Sequence, residues 1–327
     1  MHIGTLTHGG IMVNYRCSAA CRHCLYSCSP TRGEGYVDEA SAETICRFLR
    51  KGGCRSVHIG GGEPFLDFEG LVMVIRKLKQ AGIKLDYIET NAYWAFDASA
   101  KKTAEAYLKR LLGEGARALC ISIDPFHAEY VPYGAPLALA ELCEKTGMDY
   151  FLWRGEFFST LSRMDARKTH SRQELEMLLS PDYIAKTARQ YGIEYGGRAV
   201  NIEREFGTLY PAEHFTAESP PCHKLVSTGH FHVDMNTYFI PPGCTGIRIP
   251  LSEVVEGIPP GKYPVFQALY QGGVSALTQL ALQHGFSPDE AGYPSRCNLC
   301  FHLRRFLAEK GFADLDRDHY EEALKYY

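Results

Sequence analysis

For its first two hundred residues the chain alternates short apolar runs with stretches of helical period. Ile11-Met12-Val13-Asn14-Tyr15 predicts a strand, and Asp38 a cap for a helix to about Arg50, whose Ile45, Phe48 and Leu49 share a face before Gly52-Gly53. Val57-His58-Ile59 predicts a second strand, followed by a helix over Phe68 to Gln80 that carries Leu71, Ile75 and Leu78 and stops at Gly82. The alternation continues with strand Leu85 to Thr90, helix Ser99 to Leu112, strand Ala118 to Ile123, helix Pro136 to Thr146 and strand Tyr150 to Trp153. A helix near Pro181 to Tyr191 and a strand around Ile193 to Val200 end the series. Six βα units imply a parallel sheet. They are too few for an eight-fold barrel, so the expected architecture is a partial (β/α)6 TIM-like barrel. In such barrels the chemistry sits on loops after the strands.

Past about Asn201 the pattern changes. Ser219-Pro220-Pro221 and Pro241-Pro242-Gly243 punctuate an expected hairpin that pairs His230 to Asp234 with Thr237 to Ile240. Helices over about Pro264 to Gln283 and Leu303 to Lys310 follow, then a charged tail, Glu321 to Tyr327. The expected division is residues 1–205 as the barrel and 206–327 as a small cysteine-bearing domain of hairpin and helices.

Composition narrows the classes. Among the 327 residues, 45% are hydrophobic and 12% aromatic, which allows a sizeable core and excludes a disordered chain. Thirty-five basic against thirty-eight acidic residues leave a formal charge of −3, and no basic excess points to nucleic acid. The densest apolar run, Gly70 to Leu78, is broken by Arg76 and Lys77, so no membrane span is expected. Met1-His2-Ile3-Gly4 has no charged and apolar regions of an export signal, and a cytoplasmic location with reduced thiols is the expectation.

The twelve cysteines therefore call for explanation. Cys46, Cys54, Cys120 and Cys143 lie singly and read as small buried hydrophobes. Cys17, Cys21, Cys24 and Cys28 crowd one loop, and Cys222, Cys244, Cys297 and Cys300 fall in the last third. The first loop is C-x-x-x-C-x-x-C. Three thiolates with no obvious fourth ligand suit a [4Fe–4S] cluster with one open iron, zinc being the alternative. Gly60-Gly61-Gly62-Glu63-Pro64 follows the second strand, where glycines allow close approach of a ligand to the backbone. Polar residues recur at the later strand ends: Glu89-Thr90-Asn91, Ser122 with Asp124, and Arg154.

These motifs, in this order, resemble the radical S-adenosylmethionine (SAM) superfamily. The resemblance implies that Cys17, Cys21 and Cys24 hold a SAM-binding [4Fe–4S] cluster. It also implies that Gly61, Gly62 and Glu63 lie at the methionine amine and that His23 sits beside the adenine. Asn91 would reach the ribose, Ser122 and Asp124 would face the cofactor, and Arg154 would pair with the methionine carboxylate. Gly197-Arg198-Ala199 resembles the family's closing strand. Cys222, Cys244 and the pair Cys297 and Cys300 resemble the twitch form of a SPASM domain, which binds a second, auxiliary [4Fe–4S] cluster. Read alone, those four thiols suit zinc better than a cluster. His230 and His232 share a face of the hairpin, for which alternation on an exposed strand is the simpler account.

The function so implied is reductive cleavage of SAM to a 5′-deoxyadenosyl radical that modifies a peptide or protein residue, with a flavodoxin- or ferredoxin-type reductant. Local similarity to the peptide epimerases that make epipeptides extends over Ser29-Pro30, Phe65-Leu66-Asp67, Asn91 with Trp94, and Asp124 with His127-Ala128 and Val131. Those enzymes carry a free thiol beside the hairpin cysteine. Here Gly243 precedes Cys244, so an oxidative crosslink, thioether or dehydrogenation is expected over epimerisation. Cys28 is the one further thiol near the expected cavity and a candidate catalytic residue. The alternatives are a small-molecule or cofactor-precursor substrate and, from another class, a zinc-stabilised binding protein.

Overall fold

The structure is a computed structural model that describes residues 3–217 and 219–326. Met1 and His2 of the opening tetrapeptide and Tyr327 of the tail lie outside the described residues. One eight-stranded sheet organises the chain. Its strands are β1 (His8–Met12), β2 (Ser56–Gly60), β3 (Lys84–Thr90), β4 (Ala118–Ser122), β5 (Asp149–Trp153), β6 (Gly229–Asp234), β7 (Tyr238–Ile240) and β8 (Ile249–Pro250). They lie in the order β5-β4-β3-β2-β1-β6-β7-β8. The pairs from β5 through β1 to β6 are parallel and the last two are antiparallel, so the sheet is open. The expected α/β architecture, a partial TIM-like fold, is the one observed.

The helices between the parallel strands begin and end where the sequence signals place them. Asp38 accepts from Ser41 N at the start of Glu39–Lys51, and Asp67 accepts from Gly70 N at the start of Phe68–Ala81. Gly82 closes the latter with a left-handed φ of 68°. Their apolar faces, with Ile45, Leu49, Leu71 and Ile75, pack on Val57 and Ile59 of β2 in the main core. Cys46, Cys54, Cys120 and Cys143 are buried, as their isolation in the sequence suggested.

Four expectations are corrected. Ile193 to Val200 is not a strand: a turn there leads into the helix Ala199–Phe206. The sixth parallel strand is β6, which pairs with β1 on the far side of the sheet. The hairpin is thus built onto the main sheet, and β6 is an inner strand whose His232 is buried rather than exposed. The charged tail is a helix, Arg317–Lys325, capped by Asp316, with His319, Tyr320 and Ala323 buried. The C-x-x-C pair lies in the first turns of a helix that begins earlier than expected, Arg296–Glu309.

The C-terminal helix is joined to the cysteine loop by buried charge. Arg32 donates from its terminal nitrogen to Asp316 Oδ2 at 2.6 Å and lies 4.0 Å from the Tyr15 ring, while Arg248 donates to Asp316 Oδ1 at 2.7 Å. Asp316→Ala would leave Arg32 buried without its counter-charge, a loss of about 3–5 kcal/mol. The expected outcome is a clear fall in the urea midpoint of the variant, with Asp318→Ala, on the exposed side of the same helix, close to wild type.

Candidate functional site

The loop after β1 is closed on itself and then gripped from outside. Cys17 N donates to Ser29 O at 3.0 Å, which brings the ends of the cysteine segment together. Arg198, fully buried, donates from Nε to Cys21 O at 3.0 Å and from a terminal nitrogen to Cys28 O, while its backbone N donates to Cys24 O at 3.0 Å. Gly197 allows this approach, since a Cβ there would lie 2.2 Å from Leu25 O. Further support comes from the C-terminal helix, where Glu322 Oε2 accepts from Ser29 Oγ at 2.7 Å. Cys17, Cys21, Cys24 and Cys28 all line one cavity of about 130 Å3, together with Gly61 and Gly62.

The donor set in this cavity suits an iron–sulfur cluster. Every cysteine is a free thiol. Burial pushes the Cys17 and Cys21 thiols up, and the neighbouring cysteines add to this. Cys24 moves the other way: a hydrogen bond from the Cys28 thiol pulls it down, and the Arg198 cation assists against burial. Cys28 itself is pushed up by burial and by its bond to Cys24. Its backbone N also donates to Cys24 Sγ at 3.3 Å.

The glycine loop is fastened across from the thiols by Asn14. Gly62 N donates to Asn14 O at 2.9 Å and to Asn14 Oδ1 at 3.0 Å, and Asn14 Nδ2 donates to Glu63 O at 3.0 Å. A Cβ on Gly62 would sit 2.0 Å from Arg16 O, so only glycine fits there. Glu63 is fully buried behind this loop. Its carboxylate accepts from Thr90 Oγ1 at 2.9 Å, Asn91 N at 2.8 Å and Phe65 N at 3.1 Å. Burial raises its carboxyl to about 7, with those bonds opposing. As built, Glu63 ties the glycine loop to the end of β3, while Gly61, Gly62 and Pro64 form the cavity wall.

The remaining residues singled out in the sequence divide into two groups. Asn91, Ser122 and His23 line the cavity. Asn91 Nδ2 donates to Ser18 Oγ at 3.0 Å and stands 3.6 Å from Cys17 Sγ. His23 packs against Phe126 at 4.9 Å and Tyr191 at 4.8 Å, and burial lowers its imidazole to about 4, which makes it a neutral ring. Asp124 lies behind the wall. It caps the short helix Pro125–Ala128 and accepts from His127 Nδ1 at 2.7 Å. Burial opposes its charge, but His127 and His23 outweigh that and hold it at about 2. Arg154 does not reach this cavity. It adopts a left-handed φ of 63° and lies over Tyr191 at 4.9 Å, beside Glu156 at 3.6 Å.

Two further cavities continue from the first. One of about 440 Å3 shares Glu89 and Ser122 with it and is walled by Tyr26, Trp153, Tyr191 and His232. The other, about 560 Å3, shares Glu194, Lys224 and Gly243 with the second and is lined by Cys222, Cys244, Cys297 and Cys300. The four C-terminal cysteines thus meet around one space, with Lys224 and the buried Arg304 as nearby cations.

Several of these residues carry no local signal. Arg198 belongs to a pattern that reads as a strand, and its role depends on the Cys21 and Cys28 carbonyls, 177 and 170 positions away. Glu322 lies in what reads only as a charged tail. Glu89 stands out in the sequence only as a neighbour of Asn91, yet it lies between two cavities with its carboxyl raised by burial to about 7. Asn14 reads only as part of a strand.

Residues 11–146 match the model of the radical SAM superfamily. Over that stretch the chain is similar to a radical SAM domain. Among curated proteins it is similar to YydG of Bacillus subtilis (strain 168), whose name assigns it to peptide biosynthesis, at 30% identity over 121 residues. That match spans 37% of this chain and 37% of YydG, well under half of either length. Among solved structures, SuiB of Streptococcus suis bound to precursor peptide SuiA aligns over 83% of this chain and 67% of its own, at 14% identity and a TM-score of 0.37. The native anSMEcpe structure with bound AdoMet and the Cp18Cys peptide aligns over 98% and 96%, at 16% identity and a TM-score of 0.44. Among the described residues no helix is long and apolar enough to cross a membrane.

The grip of Arg198 gives a direct expectation. Arg198→Met leaves the buried Cys28 carbonyl without a donor, at about 1–3 kcal/mol, and leaves the Cys21 carbonyl only its bond from Cys24 N. The variant should retain less iron after anaerobic reconstitution and desalting than wild type. Its far-UV circular dichroism should be unchanged, because the hydrogen bonds removed hold the loop and not the sheet or its covering helices.

Proposed function

We propose that this chain is a radical SAM enzyme that reductively cleaves S-adenosylmethionine and modifies a residue of a peptide by net two-electron oxidation. One observation carries the reading: Cys17, Cys21 and Cys24 line the same small cavity as the Gly61-Gly62 backbone. In this reading the three thiolates hold a [4Fe–4S] cluster through three of its irons. When bound, that cluster supplies the electron that splits the sulfonium and gives the 5′-deoxyadenosyl radical. The chain's own groups position the methionine and nucleoside. Gly61 and Gly62 present unhindered backbone, Asn91 and Ser122 offer polar contacts, and neutral His23 offers a flat face in the cavity wall.

The middle cavity is the substrate chamber in this proposal, since it adjoins both cysteine sites and exceeds the first in volume. The name of YydG supports a peptide as the occupant. Residues from about 206 onward contribute the auxiliary site, with Cys222, Cys244, Cys297 and Cys300 as ligands of a second [4Fe–4S] cluster. Four thiols with Lys224 and Arg304 beside them suit an anionic cluster. A cluster there supplies an electron acceptor for oxidation of the substrate. The substrate loses one hydrogen atom to the nucleoside radical, then one electron and one proton, so its product is lighter by two hydrogens. Cys28 is the competing participant, a protonated thiol on the cavity wall whose return of a hydrogen atom would leave the substrate mass unchanged.

Dithionite-reduced, reconstituted protein should release 5′-deoxyadenosine and methionine from SAM, and replacement of Cys17, Cys21 and Cys24 together by Ala should abolish this. Turnover in that triple variant would sink the assignment. Wild type should carry about eight irons and the triple variant about four, from one remaining four-iron cluster. Stoichiometric zinc without iron in the triple variant would make the C-terminal site structural. Mass spectrometry of product formed in D2O distinguishes the outcomes: loss of two hydrogens supports oxidation, whereas one deuterium gained at an α-carbon with unchanged connectivity refutes it. Cys28→Ala would then be expected to lose that deuterium.

A further inference from the structure

Below the middle cavity, at the opposite end of the strands from the cysteine loop, three histidines converge. His8 lies on β1, His58 on β2 and His230 on β6, and one ring nitrogen of each lies within 4.8 Å of the others. The sheet is shaped to gather them. Gly10 lies in register with His58 on one side and His232 on the other, and a Cβ there would lie 2.3 Å from His58 Nε2 and 2.6 Å from His232 Cδ2. A residue inserted between the pairs His8–Gly229 and Gly9–Phe231 forms a bulge, and that residue is His230. Its φ of 65° is in the left-handed region, which side chains other than glycine seldom adopt.

The rings are equipped as ligands. His58 is completely buried, and its Nδ1 has no hydrogen-bond partner, which is uncommon for so polar an atom. Its Nε2 lies 3.0 Å from His232 Nε2, and His232 Nδ1 lies 2.8 Å from the Tyr26 hydroxyl, so a second layer of groups fixes its orientation. Beside His8, Ser56 Oγ at 3.2 Å and Asp86 Oδ2 at 3.4 Å provide the hydroxyl and carboxylate that commonly orient a ligating imidazole. His230 is exposed and lines the middle cavity, which gives an ion a way in.

We propose that His8, His58 and His230 form a binding site for a zinc-type divalent cation at the floor of the middle cavity. Three imidazoles with an open side match a three-histidine site that keeps a fourth position for water or a substrate oxygen. The site is separate from both cysteine groups and does not depend on the proposed radical chemistry.

Cobalt(II) is a suitable probe, because nitrogen-bound and thiolate-bound cobalt absorb differently. Protein with its cysteine sites filled with iron and sulfide, and stripped of loosely held metal, is titrated with cobalt(II) and followed by absorbance and equilibrium dialysis. The expected result is one equivalent bound with ligand-field bands and no sulfur-to-cobalt charge transfer. His230→Ala, at an exposed position, and His8→Gln should each weaken binding at least about 100-fold. Unchanged circular dichroism in both variants would exclude misfolding as the reason. Failure to bind an equivalent, a thiolate spectrum, or undiminished binding in the His8→Gln/His230→Ala double variant would each overturn the proposal. None of these outcomes depends on SAM cleavage.

Discussion

A single buried guanidinium determines whether the cysteine loop has a fixed shape. Arg198 has backbone carbonyls as its acceptors, at Cys21, Cys28 and Glu322, and no carboxylate among them. A cation so deeply buried needs a counter-charge. The Cys24 sulfur beside it provides one, and the pull of Arg198 on Cys24 is the same interaction seen from the sulfur side. The loop and the cation therefore stabilise one another's charged forms, and the fixed carbonyls set where the sulfurs stand. Asn14 and Glu63 do the corresponding work on the opposite wall with neutral and carboxylate hydrogen bonds.

The same contacts explain why β6 lies next to β1. The segment after β5 does not form a strand to extend the sheet at that edge. Instead it passes through Gly197 and Arg198 onto the cysteine loop and then continues as helix Ala199–Phe206. The following parallel strand is added beside β1, which brings Cys244 and its neighbours within one cavity of the first site.

Much of this was legible in the sequence because it rests on local rules. Asp38, Asp67 and Gly82 mark helix ends by their own hydrogen bonds and dihedrals, and the period of Leu71, Ile75 and Leu78 reports one buried face. The cysteine loop and glycine turn were legible because their chemistry is carried by adjacent residues. What escaped depends on partners remote in sequence. The apolar Ile193 to Val200 reads as a strand by composition, but Gly197 is needed there to admit Leu25 and Cys24 carbonyls. The charged tail shows no partner in the sequence, because Arg32, Arg248 and Ser29, which meet it, are remote. His230 and His232 read as surface alternation because nothing local shows that β6 is an inner strand.

The tie between Ser29 and Glu322 spans 293 positions, and this has a consequence for how the protein is made. Synthesis proceeds from the N-terminus at roughly 5–20 residues per second, so on the order of 15–60 s separates emergence of the cysteine loop from that of the helix that fastens it. During that interval four thiols stand on an unsecured loop, without Arg198 for much of it and without Asp316 and Glu322 for all of it. The oldest part of the nascent chain is thus the last to be locked, and the order of manufacture runs opposite to the order of assembly. An iron–sulfur donor that engages the loop before the ribosome finishes would meet a flexible ligand set, whereas one that acts afterwards would meet the rigid cavity.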